Sequence, residues 1–249
     1  MSKITGVVIA KNEEKMLAKC LDSLAFCDQV IVVDTGSTDA TIEIATKKHA
    51  NVYSIIEDDF SKIREFAASK VRTGWLVYVD ADERVSKELA GEITKVVTKD
   101  DKGLGAYRVV RQNYYLGNHH WPQKERLERV FRKANLKGWR GVLHETAQVE
   151  GEIGELTGLL THFTHRDLSE MVNKTNLWSE KEAKLRFDIS HPPVVWWRFP
   201  RVMVQAWYRS YITERGWKAG TAGVVESLYQ MFSIFITYAK LWELQQKKK

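Results

Sequence analysis

Gly74–Arg84 reads GWLVYVDADER. Five apolar residues, Trp75 to Val79, lead without a break into two acids, Asp80 and Asp82, one residue apart. An apolar run that follows a turn signal (Thr73-Gly74) and ends in charge is the pattern of a strand covered on both faces in a parallel sheet. Side chains alternate along a strand, so Asp80 and Asp82 are expected on one side, with Ala81 turned away. Two carboxylates that close are stable only at the strand's open end, with positive charge beside them. A hard divalent ion, Mg2+ or Mn2+, meets that need. It takes one or two protein carboxylates and fills its other positions with water and phosphate oxygens. The stretch therefore nominates Asp80 and Asp82 as metal ligands, with a diphosphate on the metal. Asp-x-Asp alone also occurs as a solvated turn or a helix cap, so the rest of the chain must decide.

Working outward, Ile4–Ala10 (ITGVVIA) is a first buried strand, and Asn12 is the expected cap of a helix through Met16, Leu17, Cys20, Leu21 and Leu24. Gln29–Val33 is a second strand ending at Asp34-Thr35-Gly36-Ser37-Thr38-Asp39, a turn and cap signal for a helix at 40–49. Asn51–Glu57 is a third strand, Ser61 opens another helix, and a further helix starts at Ser86. Strands alternating with helices predict an α/β fold with a mostly parallel central sheet, flanking helices and ligands beyond the strands' carboxyl ends. Asp34 and Asp80 both fall at such ends. Beyond Ala106, Tyr107–Tyr115, Arg126–Arg132 and Leu156–Thr164 are expected strands, and Ser169–Arg186 a helix.

The chain has 249 residues, 44% of them hydrophobic, a net charge of +6 and a pI near 9.1, so its surface favours anionic partners. Several classes drop out. No G-x-G-x-x-G follows the first strand, which argues against a dehydrogenase. A nucleotidyltransferase, the alternative enzyme class, is expected to carry a glycine-rich basic phosphate loop where this chain has acidic AKNEE. The basic residues are scattered and no nucleic-acid motif is present, so nucleic acid is not an expected partner. A non-catalytic nucleotide-sugar-binding membrane adaptor is the third reading; Asp82 and Glu145 count against it. No export leader opens the sequence, no run of about 20 residues is free of charge, and Cys20 and Cys27 read as core filler. The expected setting is cytoplasmic, peripheral on the inner face of the cytoplasmic membrane.

VVIAKNEE (7–14), VVDTGSTDAT (32–41), FSKIREFA (60–67), VYVDADE (77–83) and GVLHE (141–145) together resemble a family 2 glycosyltransferase with the GT-A fold. The resemblance is to the bacterial group that includes lipopolysaccharide core enzymes of the beta-1,4-glucosyltransferase type, and RGWKAGTAG and YAKLWE in the tail share it. It implies an inverting transferase that moves a sugar from a nucleoside-diphosphate donor, UDP-linked, to a glycan or glycolipid hydroxyl in lipopolysaccharide or other cell-envelope glycan synthesis. Carried over by position, Ala10 flanks the base through its backbone and Asp34 meets the base or ribose. Arg64 reaches uracil or phosphate, Asp80 faces ribose or metal, and Asp82 ligates the metal. His162 is a further candidate metal ligand and Lys174 a candidate contact to the diphosphate, with His165 a weaker candidate. Glu145 is the candidate general base for the acceptor hydroxyl, or else a strand glutamate paired with the arginines of RLERVFRK.

His191-Pro192-Pro193 breaks the chain and the composition changes there, so residues 1–190 are read as the catalytic domain and 191–249 as an aromatic and basic helical appendage. In Val224–Trp242, Val225, Leu228, Phe232, Phe235, Ala239 and Trp242 share one helical face, and Glu226, Gln230, Ser233, Thr237 and Lys240 the other. With Trp196, Trp197, Arg198 and Arg201 upstream, this composition suits peripheral contact with an anionic membrane. Packing on the catalytic domain, or on a second copy in a homodimer, is the other reading.

Overall fold

The computed structural model describes residues 3–141 and 146–247. It divides into two compact units, Met1–Gln112 with Glu125–His162, and Asn113–Lys124 with Phe163–Lys249.

The first unit is built on a parallel core of β1 (Ile4–Ala10), β2 (Gln29–Asp34), β3 (Asn51–Ser54) and β4 (Trp75–Asp80). The eight-stranded sheet has the order β3-β2-β1-β4-β7-β6-β10-β5, where β5 is Glu83–Val85, β6 Leu104–Tyr115, β7 His119–Arg132 and β10 Glu152–Phe163. Pairing is parallel across β3-β2-β1-β4 and antiparallel at β4–β7 and β10–β5. β4 is covered on both faces, as its apolar run predicts. Trp75, Val77 and Val79 join one buried cluster with Leu89 and Ile93 of α4 (Lys87–Lys99), while Leu76 and Tyr78 join another with Ile63 and Ala67 of α3 (Phe60–Lys70). Each such side chain contributes about 1.5–3 kcal/mol, so these few residues anchor the sheet. α4 starts where expected, with the Ser86 hydroxyl accepting from the Leu89 amide at 3.1 Å. α3 is capped two residues before Ser61, by the Asp59 carboxylate.

Two expectations change here. The helix placed after Asn12 begins only at Leu17 (α1, Leu17–Ser23), because Asn12 is left-handed at φ +55°. Its side-chain oxygen accepts from the Thr38 amide at 2.7 Å instead of capping a helix. Beyond the predicted strands, β8 (Leu136–Arg140) and β9 (Thr146–Val149) pair as a separate two-stranded sheet.

The second unit holds α5 (Leu168–Asp188), α6 (Arg198–Trp207) and α7 (Gly220–Lys247), with a π-helical turn at Tyr208–Thr213. α5 therefore groups with the tail, and the compact units part at His162–Phe163 rather than at residue 190. The reason is packing. Tyr229 of α7 donates to the Met171 carbonyl of α5 and meets the Thr175 hydroxyl, while Ala183, Tyr238 and Leu241 share one buried cluster. Gly223 permits the close approach within this unit, since a Cβ there would lie 1.8 Å from the Gly216 carbonyl oxygen.

α7 turns its apolar stripe outward and its polar face inward. Glu226, Ser227 and Thr237 are buried, whereas Leu228, Phe232, Phe235 and Trp242 are exposed. Its interior face is polar because partners wait there: the Glu226 carboxylate meets His165 Nδ1 at 3.0 Å, and Ser227 meets Ser210 at 3.0 Å. Buried polar groups with partners are tolerated, so the apolar stripe is free to face out.

The first turn of α5 carries a testable pH effect. Arg166, through a charge-assisted hydrogen bond, and Lys174, 3.0 Å away, hold the Glu170 carboxyl down at about 2 against its usual 4.5. A folded-state value below the unfolded one adds stability that is complete above pH 4.5 and is lost as pH falls toward 2. For a partly exposed cluster this is worth about 1 kcal/mol. Glu170→Gln is expected to cost that much in urea unfolding at pH 7, with the gap to wild type narrowing in the acid range.

Candidate active site

The site is assembled at the carboxyl ends of three adjacent strands. In register, Ile9 of β1 stands opposite Asp80 of β4, and Ala10 opposite Asp34 of β2. Ala10 closes its strand, its carbonyl accepting from the Thr35 amide at 3.0 Å. Asp34 is 2% exposed, and its carboxylate accepts from the amides of Gly36 (3.0 Å) and Ser37 (3.1 Å). Gly36, at φ +96°, supplies the left-handed turn this needs. The loop after β1 is laced to the loop after β2, with the Glu13 amide donating to the Thr41 hydroxyl at 2.8 Å and the Asn12 amide to Ser37 Oγ at 2.9 Å.

β4 ends at Asp80, and residues 81 and 82 form a turn, so the two aspartates do not continue one strand face. They meet different partners. Asp80 Oδ2 accepts from Arg129 at 2.7 Å, and Oδ1 lies 3.8 Å from Arg64. Burial pushes the Asp80 carboxyl up, but Arg129 and then Arg64 outweigh it and hold it well below the usual carboxylate range. Arg129 also donates to Glu83 Oε1 at 2.9 Å, and Arg111 reaches the same oxygen at 3.2 Å. Glu83 is fully buried, and its other oxygen accepts from the Asp80 amide at 2.9 Å, which closes the turn. Arg111 continues outward to Glu125 at 2.5 Å. Arg64, itself 7% exposed, lies over the rings of Tyr78 (5.1 Å) and Trp139 (4.9 Å), and the Tyr78 hydroxyl donates to the Arg64 carbonyl at 2.6 Å. Three arginines are thus fixed around Asp80 in one unit, lining a cavity of about 260 Å3 together with Trp139 and Ala147.

Asp82 meets His162, whose charge is also felt at Asp80. Register pairs Glu83 with His162, and His162 Nε2 comes 3.4 Å from Asp82 Oδ2, both side chains 15% exposed. Among the described residues no three His, Cys, Asp or Glu side chains form a ready-made metal cage. A carboxylate and an imidazole at this spacing do fit a divalent ion that draws its remaining ligands from water and a diphosphate.

Residues 5–150 match the sequence model described as Glycosyl transferase family 2. The chain belongs to that family. It is 27% identical to the lipopolysaccharide core biosynthesis glycosyltransferase LpsC of Rhizobium meliloti over 96% of this chain and 92% of that one. It is 29% identical to the uncharacterized glycosyltransferase RT0209 of Rickettsia typhi, covering all of this chain and 90% of the relative. Among solved structures, S. aureus TarS 1-349 aligns at a TM-score of 0.47 and 15% identity, over 99% of this chain and 92% of that one. Glucosyl-3-phosphoglycerate synthase from Mycobacterium tuberculosis, in complex with Mn2+, UDP and glucosyl-3-phosphoglycerate, aligns at 0.45 and 17%, over 68% and 75%. This glycosyltransferase is an enzyme of the α/β class that its strand and helix alternation predicts.

The remaining nominees are spread more widely. Glu145 lies outside the described residues. Lys174 belongs to the second unit, one turn beyond Glu170 on α5 and ion-paired with it at 3.0 Å. His165 is also in that unit, held by Glu226 and stacked on Tyr115 at 5.3 Å. The sequence pattern alone does not single out Glu83 and Arg111, and it leaves Arg129 undecided. A signal exists: in LERVF, Arg129 shares strand parity with Phe131, so its charge has to face inward.

Proposed function

We propose that this family 2 glycosyltransferase moves a sugar from a nucleoside-diphosphate donor, UDP-linked, to a hydroxyl of a glycan or glycolipid acceptor, with inversion at the anomeric carbon. The observation that carries the reading is the Asp82–His162 pair (3.4 Å) beside strand ends that also bear Asp34 and Asp80. Asp82 and His162 would hold a Mg2+ or Mn2+ ion, which when bound supplies Lewis-acid neutralisation of the leaving diphosphate. Ala10 and Asp34 flank the base and ribose, and Arg64 offers a fixed cation to the nucleotide. Glu145 takes the proton of the acceptor hydroxyl as its oxygen bonds to the anomeric carbon and the bond to the diphosphate oxygen breaks. The 27% identity to a lipopolysaccharide core biosynthesis enzyme supports an acceptor in cell-envelope glycan synthesis, and a lipid-linked one fits this reading.

Glu145→Gln tests the base. It is expected to keep the thermal shift that UDP produces with Mn2+ and to lower the transfer rate by about 10²–10⁴-fold. Transfer at the wild-type rate in that variant removes Glu145 from the role.

A further inference from the structure

We propose that the second unit docks on an anionic bilayer surface through the outward apolar ridges of α6 and α7 and the basic side chains beside them. Three observations carry this. The first is the partition of charge. Asn113–Lys124 with Phe163–Lys249 hold 15 Lys and Arg against 8 Asp and Glu, net +7, whereas the first unit holds 23 against 24, net −1. The whole basic excess of the chain is in one unit.

The second is the partition of exposed apolar surface. Among the described residues, every exposed large hydrophobic side chain except Ile42 and Ile56 lies in the second unit. On α7, Val224, Leu228, Phe232, Phe235 and Trp242 follow helical spacing and form one stripe, while the buried positions occupy the opposite side. Leading into α6, along it and into the π-helical turn that follows, Trp196 (81% exposed), Trp197, Val204 and Tyr208 face out beside Arg201 and Arg209. The Phe199–Phe235 ring contact, 5.8 Å between centroids, joins the two helices at that level. Isolated exposed apolar residues need no explanation, but a contiguous set marks an interaction surface.

The third observation selects the occupant. Tryptophan and tyrosine mixed with arginine suit the headgroup layer, where rings enter the acyl boundary and cations meet lipid phosphates. Among the described residues no helix is long and apolar enough to cross a membrane, so the contact is interfacial. A second copy is a poorer fit, because a symmetric pairing sets two +7 units face to face. The choice of a bilayer also rests in part on the lipid-linked acceptor proposed above.

Vesicle co-sedimentation of the full chain tests the proposal. Vesicles of phosphatidylcholine with about a third phosphatidylglycerol are expected to bind at least about tenfold more protein than phosphatidylcholine alone, with most of the gain lost at high salt. Arg201→Gln with Arg209→Gln is expected to weaken partitioning by about fivefold per charge removed. Leu228→Gln with Phe232→Gln is expected to abolish it while leaving the melting temperature unchanged, since both side chains are exposed. Equal partitioning onto both vesicle types, or unchanged partitioning in both double variants, overturns the proposal. So does a protein that stays off vesicles and sediments as a dimer until Leu228 and Phe232 are replaced, which assigns the face to a second copy. The UDP and Mn2+ thermal shift, measured on the same samples without vesicles, reports the donor site separately. Its loss with vesicle binding intact counts against the donor reading alone.

Discussion

Arg129→Met is expected to destabilise the protein by about 3–5 kcal/mol, a large share of what holds an ordinary domain folded. Arg129 is 5% exposed and answers two carboxylates at once, Asp80 at 2.7 Å and Glu83 at 2.9 Å. Methionine keeps much of the volume and removes the charge. Asp80 then retains Arg64 at 3.8 Å, and can turn toward water because its side chain is about a third exposed. Glu83 has no such escape: it is fully buried and is left with Arg111 at 3.2 Å and one backbone amide. A buried carboxylate short of a partner costs several kcal/mol. Arg129→Met with Glu83→Gln is therefore expected to recover much of the loss, because the neutral amide needs no counter-charge. Urea unfolding of the wild type, both singles and the double variant measures the coupling. Additive losses would show that the ion pair is not what holds this turn. The intact network is not a large net source of stability, since desolvation offsets most of its Coulomb gain. Its role is to fix where β4 ends, and with that the position of Asp82.

The second large effect is on activity. Asp82→Asn is expected to lower sugar transfer by about 10³-fold, or about 4 kcal/mol of transition-state stabilisation, while leaving folding nearly unchanged. Asp82 pairs with His162 at 3.4 Å. His162→Ala is expected to act in the same direction with a smaller loss, and raising Mn2+ is expected to recover part of it. A double variant no worse than Asp82→Asn alone shows that the two side chains serve one ligand. Full activity of Asp82→Asn with donor and Mn2+ present removes this residue from the site.

What can be read from the sequence, and what cannot, follows from where each signal resides. β1, β2 and β4 are legible because both their faces are buried, and an unbroken apolar run admits few alternatives. Ser86 is legible as a cap because capping is local. Asn12 misleads for the same reason. Its local pattern is that of a cap, but its amide and side chain are engaged with Ser37 and Thr38, about 25 residues away. β8 and β9 escape notice because they are short and half exposed, with no apolar alternation to mark them. The amphipathic pattern of α7 leaves open which face lies inward, because membrane contact and packing both suit an apolar stripe. Partners for Glu226 and Ser227 on distant segments are invisible along the chain. Within the site, Asp34, Arg64 and Asp82 come from a family resemblance, and Asp80 with Asp82 from spacing. Neither source shows that Asp80 goes to Arg129 and Asp82 to His162. That split depends on β4 stopping at Asp80 and on the β5–β10 register, which joins residues about 80 positions apart.

The central claim is that the strand ends around Asp82 hold a nucleoside diphosphate together with a divalent ion. Thermal unfolding of the wild type and Asp82→Ala, each with UDP plus Mn2+ and with UDP plus EDTA, tests it most directly. UDP is expected to raise the wild-type melting temperature only when Mn2+ is present, and Asp82→Ala to show no such rise. A rise of equal size in Asp82→Ala, or a wild-type protein indifferent to UDP and every other nucleoside diphosphate with Mn2+, contradicts it.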